Sequence, residues 1–270
     1  MSQPLWSAIQ TILLYVLIIY GVFVLGFYLL SDGIIFQPPK ADYQDNGQII
    51  KIPIDNTKKI SALYFSNPKA TITILYSHGN AEDLGTLVPI LIQFRDQGYN
   101  ILAYDYQGYG TSNGKPSEKN TYQDILAAYH YLTNTLNTSP DNIVVYGRSL
   151  GTGPSVYLAS QVPVKGLILV SPFVSAYRVQ IKFPIIPFDK YPNLKTISTL
   201  TVPLLVIHGT QDTLIPLWHG KKIANNAKGP TQTLWIKGAN HNDPIQQSKR
   251  YWQAINHFIH ELQPNKQNGP

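Results

Sequence analysis

Cysteine is absent from this chain, which excludes disulfides, thiol nucleophiles and thiolate metal sites. Charge is scarce as well: Asp, Glu, Lys and Arg make up 13% of 270 residues, with a net charge of +6. The basic residues are scattered, and no stripe of interleaved basic and aromatic side chains follows a path that a nucleic-acid backbone would need. A mildly basic surface, with no nucleic-acid partner, is the reading. Internal repeats and low-complexity tracts are also missing.

One absence is local. No charged side chain occurs from Met1 to Ser31. Within that stretch Leu5 to Leu30 is an apolar run of about 25 residues, more than the roughly 20 that a helix needs to cross a bilayer. A secretory signal peptide would open on basic residues, have a shorter apolar stretch and end at an A-x-A-like site; none of these is present. A buried core helix would show a polar face, which this run lacks. The segment therefore predicts a retained single-pass transmembrane anchor. With only the terminal amine on one flank and Lys40 first on the other, the positive-inside rule gives no orientation. The expected organisation is an anchor over 1–35, a linker over 36–47, one catalytic domain over 48–262 and a polar tail over 263–270.

Beyond the anchor the chain alternates in type. Ile49 to Ile54 and Ile60 to Phe65 read as two short, antiparallel strands. Strand-like apolar runs then recur at Ala70 to Tyr76, Asn100 to Tyr104, Asn142 to Tyr146, Gly166 to Val170, Pro203 to Ile207 and Thr231 to Ile236. Helical spacing appears over Leu84 to Gln97, Thr121 to Leu136, the segment after Ser149, and Gln246 to Leu262. Strands buried on both faces, separated by helices, predict an α/β fold with a mostly parallel central sheet. Ligands bind such sheets beyond the carboxyl ends of the strands.

Three strand ends carry chemistry. Gly147-Arg-Ser149-Leu-Gly151 fits G-x-S-x-G, a spacing that chance alone supplies in roughly one chain in ten of this length. Its context is more specific. A strand precedes it and a helix follows, as a strained turn that exposes a serine hydroxyl requires. Asp212 follows the strand Pro203 to Ile207, and His241 follows the last strand. A serine hydroxyl needs a histidine to take its proton, and that histidine needs a carboxylate to fix its tautomer. Ser149, Asp212 and His241 stand in that order. The backbone N–H groups of Asn80, in "LYSHGNAEDLG", and of Leu150 are the candidate donors to an oxyanion.

Other residues compete for these roles. Asp243 and Asp189 are rival acids: Asp243, two residues past His241, is better suited to shaping that loop, and Asp189 sits in the insertion between the strands ending at Val170 and starting at Pro203. His78 and His208 precede a glycine at a strand end and read as packing or loop residues. His219 is a further rival base, and His257 and His260 lie on a helix surface. A metal site is not expected, because no second ligand pair sits at a useful spacing. Asp105 reads as organising the glycine turn through Gly110. Arg148 suits either an anionic substrate group or a structural ion pair. The insertion from Ser171 to Thr199 is a short cap, rich in proline and aromatics. Phe173, Tyr177, Phe183 and Phe188 within it are candidates to line the substrate site, although ordinary packing would use the same residues.

Together, "SHGNAEDLG", "YDYQGYGTSNGKPSE", "YGRSLGTGPS", "SPF", "HGTQDTLIP" and "GANHND" make residues from about 48 to 262 resemble the α/β-hydrolase fold. More narrowly, the chain resembles small membrane-anchored α/β-hydrolase-domain proteins that include protein depalmitoylases. It departs from the palmitoyl-removing members, whose amino terminus is cysteine-rich and lipidated, by having an apolar helix there. The resemblance implies a serine esterase or thioesterase without cofactor or metal, acting on a small-molecule or lipid ester or an acylated protein. A peptidase of the prolyl oligopeptidase type and a non-catalytic binding module at the membrane are the alternatives. Oligomeric state is not legible.

Overall fold

The structure, a computed structural model, describes residues 3–181, 185–243 and 249–263. It forms two compact units, residues 1–37 and 38–270. The first is helix α1, Gln3–Ile35. Its 33 residues rise about 1.5 Å each, longer than the hydrocarbon core of a bilayer. Within Pro4–Ile35 an 18-residue window reaches a mean hydropathy of 2.6, so the helix is long and apolar enough to cross a membrane.

The second unit is built on eight strands in the order β1-β2-β4-β3-β5-β6-β7-β8. These are β1 (Ile50–Pro53), β2 (Lys59–Phe65), β3 (Thr73–Ser77), β4 (Asn100–Tyr104), β5 (Ile143–Arg148), β6 (Gly166–Val170), β7 (Leu204–Gly209) and β8 (Thr231–Ile236). Strand β2 runs antiparallel to both its neighbours, and from β4 to β8 all pairs are parallel. This is the mostly parallel sheet that the sequence pattern predicts. Strands β3, β6 and β7 are buried at every residue, as expected of a sheet covered on both faces.

Alternation along the strands divides the core in two. Ile74, Tyr76, Val144, Tyr146, Ile168, Val170, Leu205 and Ile207 face helices α2 (Leu84–Asp96) and α7 (Lys249–Glu261). Leu87, Leu91 and Phe94 of α2 and Tyr251, Ile255 and Phe258 of α7 complete that layer. Tyr76 and Tyr146 stack at 4.5 Å between centroids, and the Tyr146 and Tyr251 hydroxyls meet at 2.8 Å. Helices α3 (Glu118–His130) and α4 (Thr152–Gln161) pack on each other, α4 lying against β5 and β6.

Local chemistry sets the helix boundaries. Asp83 caps α2 in a capping box with Thr86, and Ser117 caps α3 through the Asn120 N–H. Helix α3 is shorter than its sequence pattern predicts, because the chain widens into a π-type turn over Tyr131–Thr135. Two helices were not evident from the sequence, α5 (Asn193–Ile197) and α6 (Trp218–Asn226), since neither has a sustained apolar stripe.

The sheet order reverses at β3: the chain crosses to β4 on one side and returns to β5 on the other. Ser77 and Gly147 are partners in register there, so the loops after β3 and β5 emerge side by side at the switch point.

Phe94 is fully buried at the centre of the α2 layer, with Tyr146 at 5.4 Å and Trp252 at 4.9 Å between centroids. Phe94→Ala is expected to lower stability by about 3–5 kcal/mol, read from urea unfolding in detergent micelles.

Candidate active site

At the end of β5 the chain turns sharply into a 3₁₀ turn over Ser149–Gly151 and then α4. Ser149 has φ = 51°, a left-handed conformation unusual for a residue with a side chain. Two glycines permit it. A Cβ on Gly147 would lie 2.6 Å from both the Gly151 carbonyl and Ser155 Oγ. A Cβ on Gly151 would run into the main chain at Ser77 and His78. Both glycines are thus demanded by close backbone approach.

Ser149, His241 and Asp212 meet, although they come from three separate loops. The Ser149 hydroxyl donates to His241 Nε2 at 3.0 Å, and His241 Nδ1–H donates to Asp212 Oδ2 at 2.8 Å. An ionised carboxylate only accepts, which assigns the proton to Nδ1 and leaves Nε2 free to take the serine proton. All three are buried, at 6–7% exposure. The other oxygen of Asp212 accepts from the N–H groups of Leu214 at 3.0 Å and Ile215 at 2.7 Å. Burial alone would raise the Asp212 pKa. Hydrogen bonds from His208, His241 and the Ile215 N–H overcome it and hold the carboxyl below the usual carboxylate range.

The acid and histidine loops are laced together. Asn240 Oδ1 accepts from Thr213 N and Oγ1 and from His241 N, and Gln211 N–H donates to the Ala239 carbonyl. The rival residues fall into structural places. Asp243 accepts from Asn240 N–H and Asp189 from Ser175 Oγ and Tyr177 N–H. His257 faces Glu261 on the exposed side of α7. Among the described residues no three His, Cys, Asp or Glu side chains group as metal ligands.

His208 does more than pack. Its Nε2 donates to the Ile215 carbonyl at 2.8 Å and lies 3.3 Å from Asp212 Oδ2, so the acid faces a second imidazole. His208 is the next-to-last residue of β7, four residues before Asp212, a spacing that by itself signals no contact. Asp105 is also a hub, accepting from Tyr43 Oη at 2.5 Å and from Leu84 N–H at 3.1 Å, with His78 Nε2 at 3.3 Å. Gly110, at φ = 49°, lies directly against it.

The loop after β3 carries Asn80 beside the turn. Tyr109 Oη donates to Asn80 Oδ1 at 2.6 Å, and Ala81 comes next with φ = 56°. Leu150 lies in the first turn of a helical segment, where N–H groups lack partners within the helix. Arg148, open to two readings from sequence, forms an ion pair with Glu82.

The cap candidates divide. Tyr177 and Phe188 pack edge to face, 6.0 Å between centroids, and line a cavity of about 220 Å³ with Ile181, Ile185 and Ile186. Phe173 is outside that lining and is buried against Tyr191. Phe183 lies outside the described residues.

A family model described as serine aminopeptidase, S33 matches residues 66–190. Among curated proteins, Alpha/beta hydrolase domain-containing protein 17C of Xenopus tropicalis is 43% identical over 205 residues, 74% of this chain and 65% of that protein. Human Alpha/beta hydrolase domain-containing protein 17B is 41% identical over 198 residues, 72% of this chain and 68% of that protein. The chain therefore spans about two thirds of the length of these relatives. Among solved structures, a Pyrococcus furiosus esterase superposes with a TM-score of 0.69 at 22% identity, over 83% of this chain and 98% of that one. Est1E from Butyrivibrio proteoclasticus, with ferulic acid bound, gives 0.66 at 21%, over 79% and 98%.

One group near the site titrates in an unusual range. His219 is buried, accepts from Val174 N–H through Nδ1 at 3.2 Å, and stacks on Trp218. Burial, with His208, Arg178 and Lys222 nearby, pushes its pKa from 6.5 down to about 4. The unfolded chain binds a proton there that the folded one refuses, so falling pH favours unfolding. Wild type is expected to lose stability relative to His219→Gln between pH 6.5 and about 4, measured by thermal unfolding at stepped pH.

Proposed function

Because the chain belongs to the α/β-hydrolases, in the group of the α/β-hydrolase domain-containing 17 proteins, we propose that it is a membrane-anchored serine hydrolase that cleaves carboxylic esters or thioesters. Acyl lipids and acylated proteins are the substrate classes. The observation that carries the reading is the hydrogen-bonded line Ser149–His241–Asp212 at the switch point of the sheet.

The reaction follows from the geometry. Ser149 Oγ attacks the acyl carbon while His241 Nε2 takes its proton. Asp212 holds the ring by its Nδ1–H and stabilises the imidazolium. The N–H groups of Leu150 and Asn80 receive the oxyanion of the tetrahedral intermediate. Its collapse breaks the bond to the leaving oxygen or sulfur, which departs with the proton from His241. Water, deprotonated by His241, then attacks the acyl-serine; the second intermediate releases the carboxylic acid and returns the proton to Ser149.

The cap cavity lined by Tyr177, Ile186 and Phe188 suits an acyl chain. The apolar helix α1, retained as an anchor, would keep that cavity close to acylated substrates at a bilayer. A peptidase that recognises a free amino terminus needs an acidic pocket for the substrate ammonium group. Glu82 is instead taken by Arg148 and Gly79, Glu118 by Tyr122 and Tyr191, and Glu261 lies near His257.

The test is p-nitrophenyl ester hydrolysis across acyl lengths, wild type beside Ser149→Ala. A burst is expected in wild type, with a loss of at least about 10³-fold in the variant and about 10⁴-fold in Asp212→Asn. Equal rates in wild type and Ser149→Ala would sink the nucleophile assignment, and a flat response to acyl length would sink the acyl cavity. Fluorophosphonate labelling of wild type alone separates an enzyme from a binding module. For the anchor, protein extracted from membranes is expected to need detergent rather than alkaline carbonate, and its mass to include Leu5–Leu30. Release by carbonate would contradict the anchor.

A further inference from the structure

We infer that the Glu82–Arg148 ion pair is a positioning device that, by holding the His78–Gly79 peptide through the Gly79 N–H, orients the Asn80 N–H that follows toward the nucleophile; this rests on the serine-hydrolase reading above. Three connections meet in the pair. Glu82 Oε2 accepts from the Gly79 N–H at 2.7 Å. Glu82 Oε1 pairs with Arg148 Nη1. Arg148 Nη2 donates to Asn242 Oδ1 at 3.4 Å. One pair therefore touches the residue before Asn80, the residue before Ser149 and the residue after His241. No other ion pair among the described residues reaches all three loops.

Gly79 is shaped for it. A Cβ there would lie 2.9 Å from Glu82 Oε2 and 3.3 Å from Arg148 Nη1, so the pair sits directly on main chain where any side chain would displace it. The pair is also largely withdrawn from water, with side-chain exposures of 12% for Arg148 and 24% for Glu82. At that burial it is not a screened surface pair, and removing one charge leaves the other poorly solvated.

The need for such a clamp is visible in the loop. Ala81 takes a left-handed φ of 56°, which a residue with a Cβ adopts when its surroundings impose it. Tyr109 restrains the Asn80 side chain, and Glu82 restrains the peptide one residue earlier. An oxyanion donor works only when its N–H points to where charge develops. Neither Glu82 nor Arg148 is assigned a contact with the reacting atoms. They act through the orientation of the Asn80 N–H.

The experiment compares full-length wild type and Glu82→Gln in detergent micelles on p-nitrophenyl butyrate, with rates normalised to active sites by fluorophosphonate titration. Glutamine keeps an acceptor for the Gly79 N–H but removes the charge that holds Arg148. The expected result is a fall in kcat of about tenfold with KM within about twofold. Affinity for a trifluoromethyl ketone, which forms an oxyanion adduct on Ser149, falls by the same factor. A merely structural role would reduce the number of active sites and leave kcat per site unchanged. Arg148 supplies the second arm: Arg148→Met reproduces the loss, and Arg148→Lys, which keeps the charge, recovers most of it. If Glu82→Gln does not fold, the order Arg148→Met well below Arg148→Lys decides. An unaltered kcat per active site, or undiminished ketone affinity, overturns the positioning role while wild type remains active. An inactive wild type overturns the hydrolase reading itself.

Discussion

Two stretches of main chain, Ser77–His78 at the end of β3 and Ser149–Gly151 after β5, lie so close that no side chain fits between them. Parallel pairing of β3 with β5 brings them together, and the reversal of strand order leaves the space above open. From this contact the rest of the site takes its form. The contact holds the left-handed Ser149 at the start of α4 and sets the loop after β3 next to the turn after β5. A methyl group at position 151 would separate the two stretches, and with them Ser149 from the N–H groups proposed as oxyanion donors.

Around that contact the fold places polar groups where an apolar core would be more stable. Asp105, Asp124, Asp212, His78 and His208 are all buried. Each carboxylate has partners, and the partners are loops. Asp105 joins the segment at Tyr43 to the start of α2. Asp124 accepts twice from Gln107, and its burial pushes its pKa up to about 7 despite those two bonds. Buried polar groups are costly when unpaired, so each of these bonds fixes a loop more firmly than an exposed one would. The sheet supplies stability, and the buried acids turn irregular segments into defined ones.

Much of this was legible in the sequence, for a physical reason. Strands β4, β6 and β8 match their predicted limits because continuous apolar runs bounded by polar turns have few alternatives. The three candidate site residues stood out because each falls a few residues past the end of such a run. What escaped notice lies where the signal is tertiary. Helix α6 carries Lys, Asn and Gly with only a few apolar anchors, and its place is set by packing on β7. His208 looked like a strand-end packing residue because nothing in a sequence says that its ring meets a carboxylate four residues on. Glu82 and Arg148 are 66 residues apart, and only the pairing of β3 with β5 makes them neighbours. Phe173, expected as a substrate wall, packs edge to face with Tyr191 and is not among the residues that line the cap cavity.

The second imidazole on Asp212 explains a feature of the site that the serine and histidine alone do not. His208 uses Nε2 toward Ile215 and Asp212, while its Nδ1 side lies against Gly220. It has no edge left for Ser149 and is not a spare base. Its role is to complete the surroundings of the acid. With two N–H donors on one oxygen and an imidazole on either side of the other, Asp212 has its orientation set before His241 binds to it. His241 meets a carboxylate that is already aimed and already ionised, so in the proposed mechanism little reorganisation remains when its ring takes up the serine proton. Preorganisation of that kind is where a buried site gains over the same groups in water.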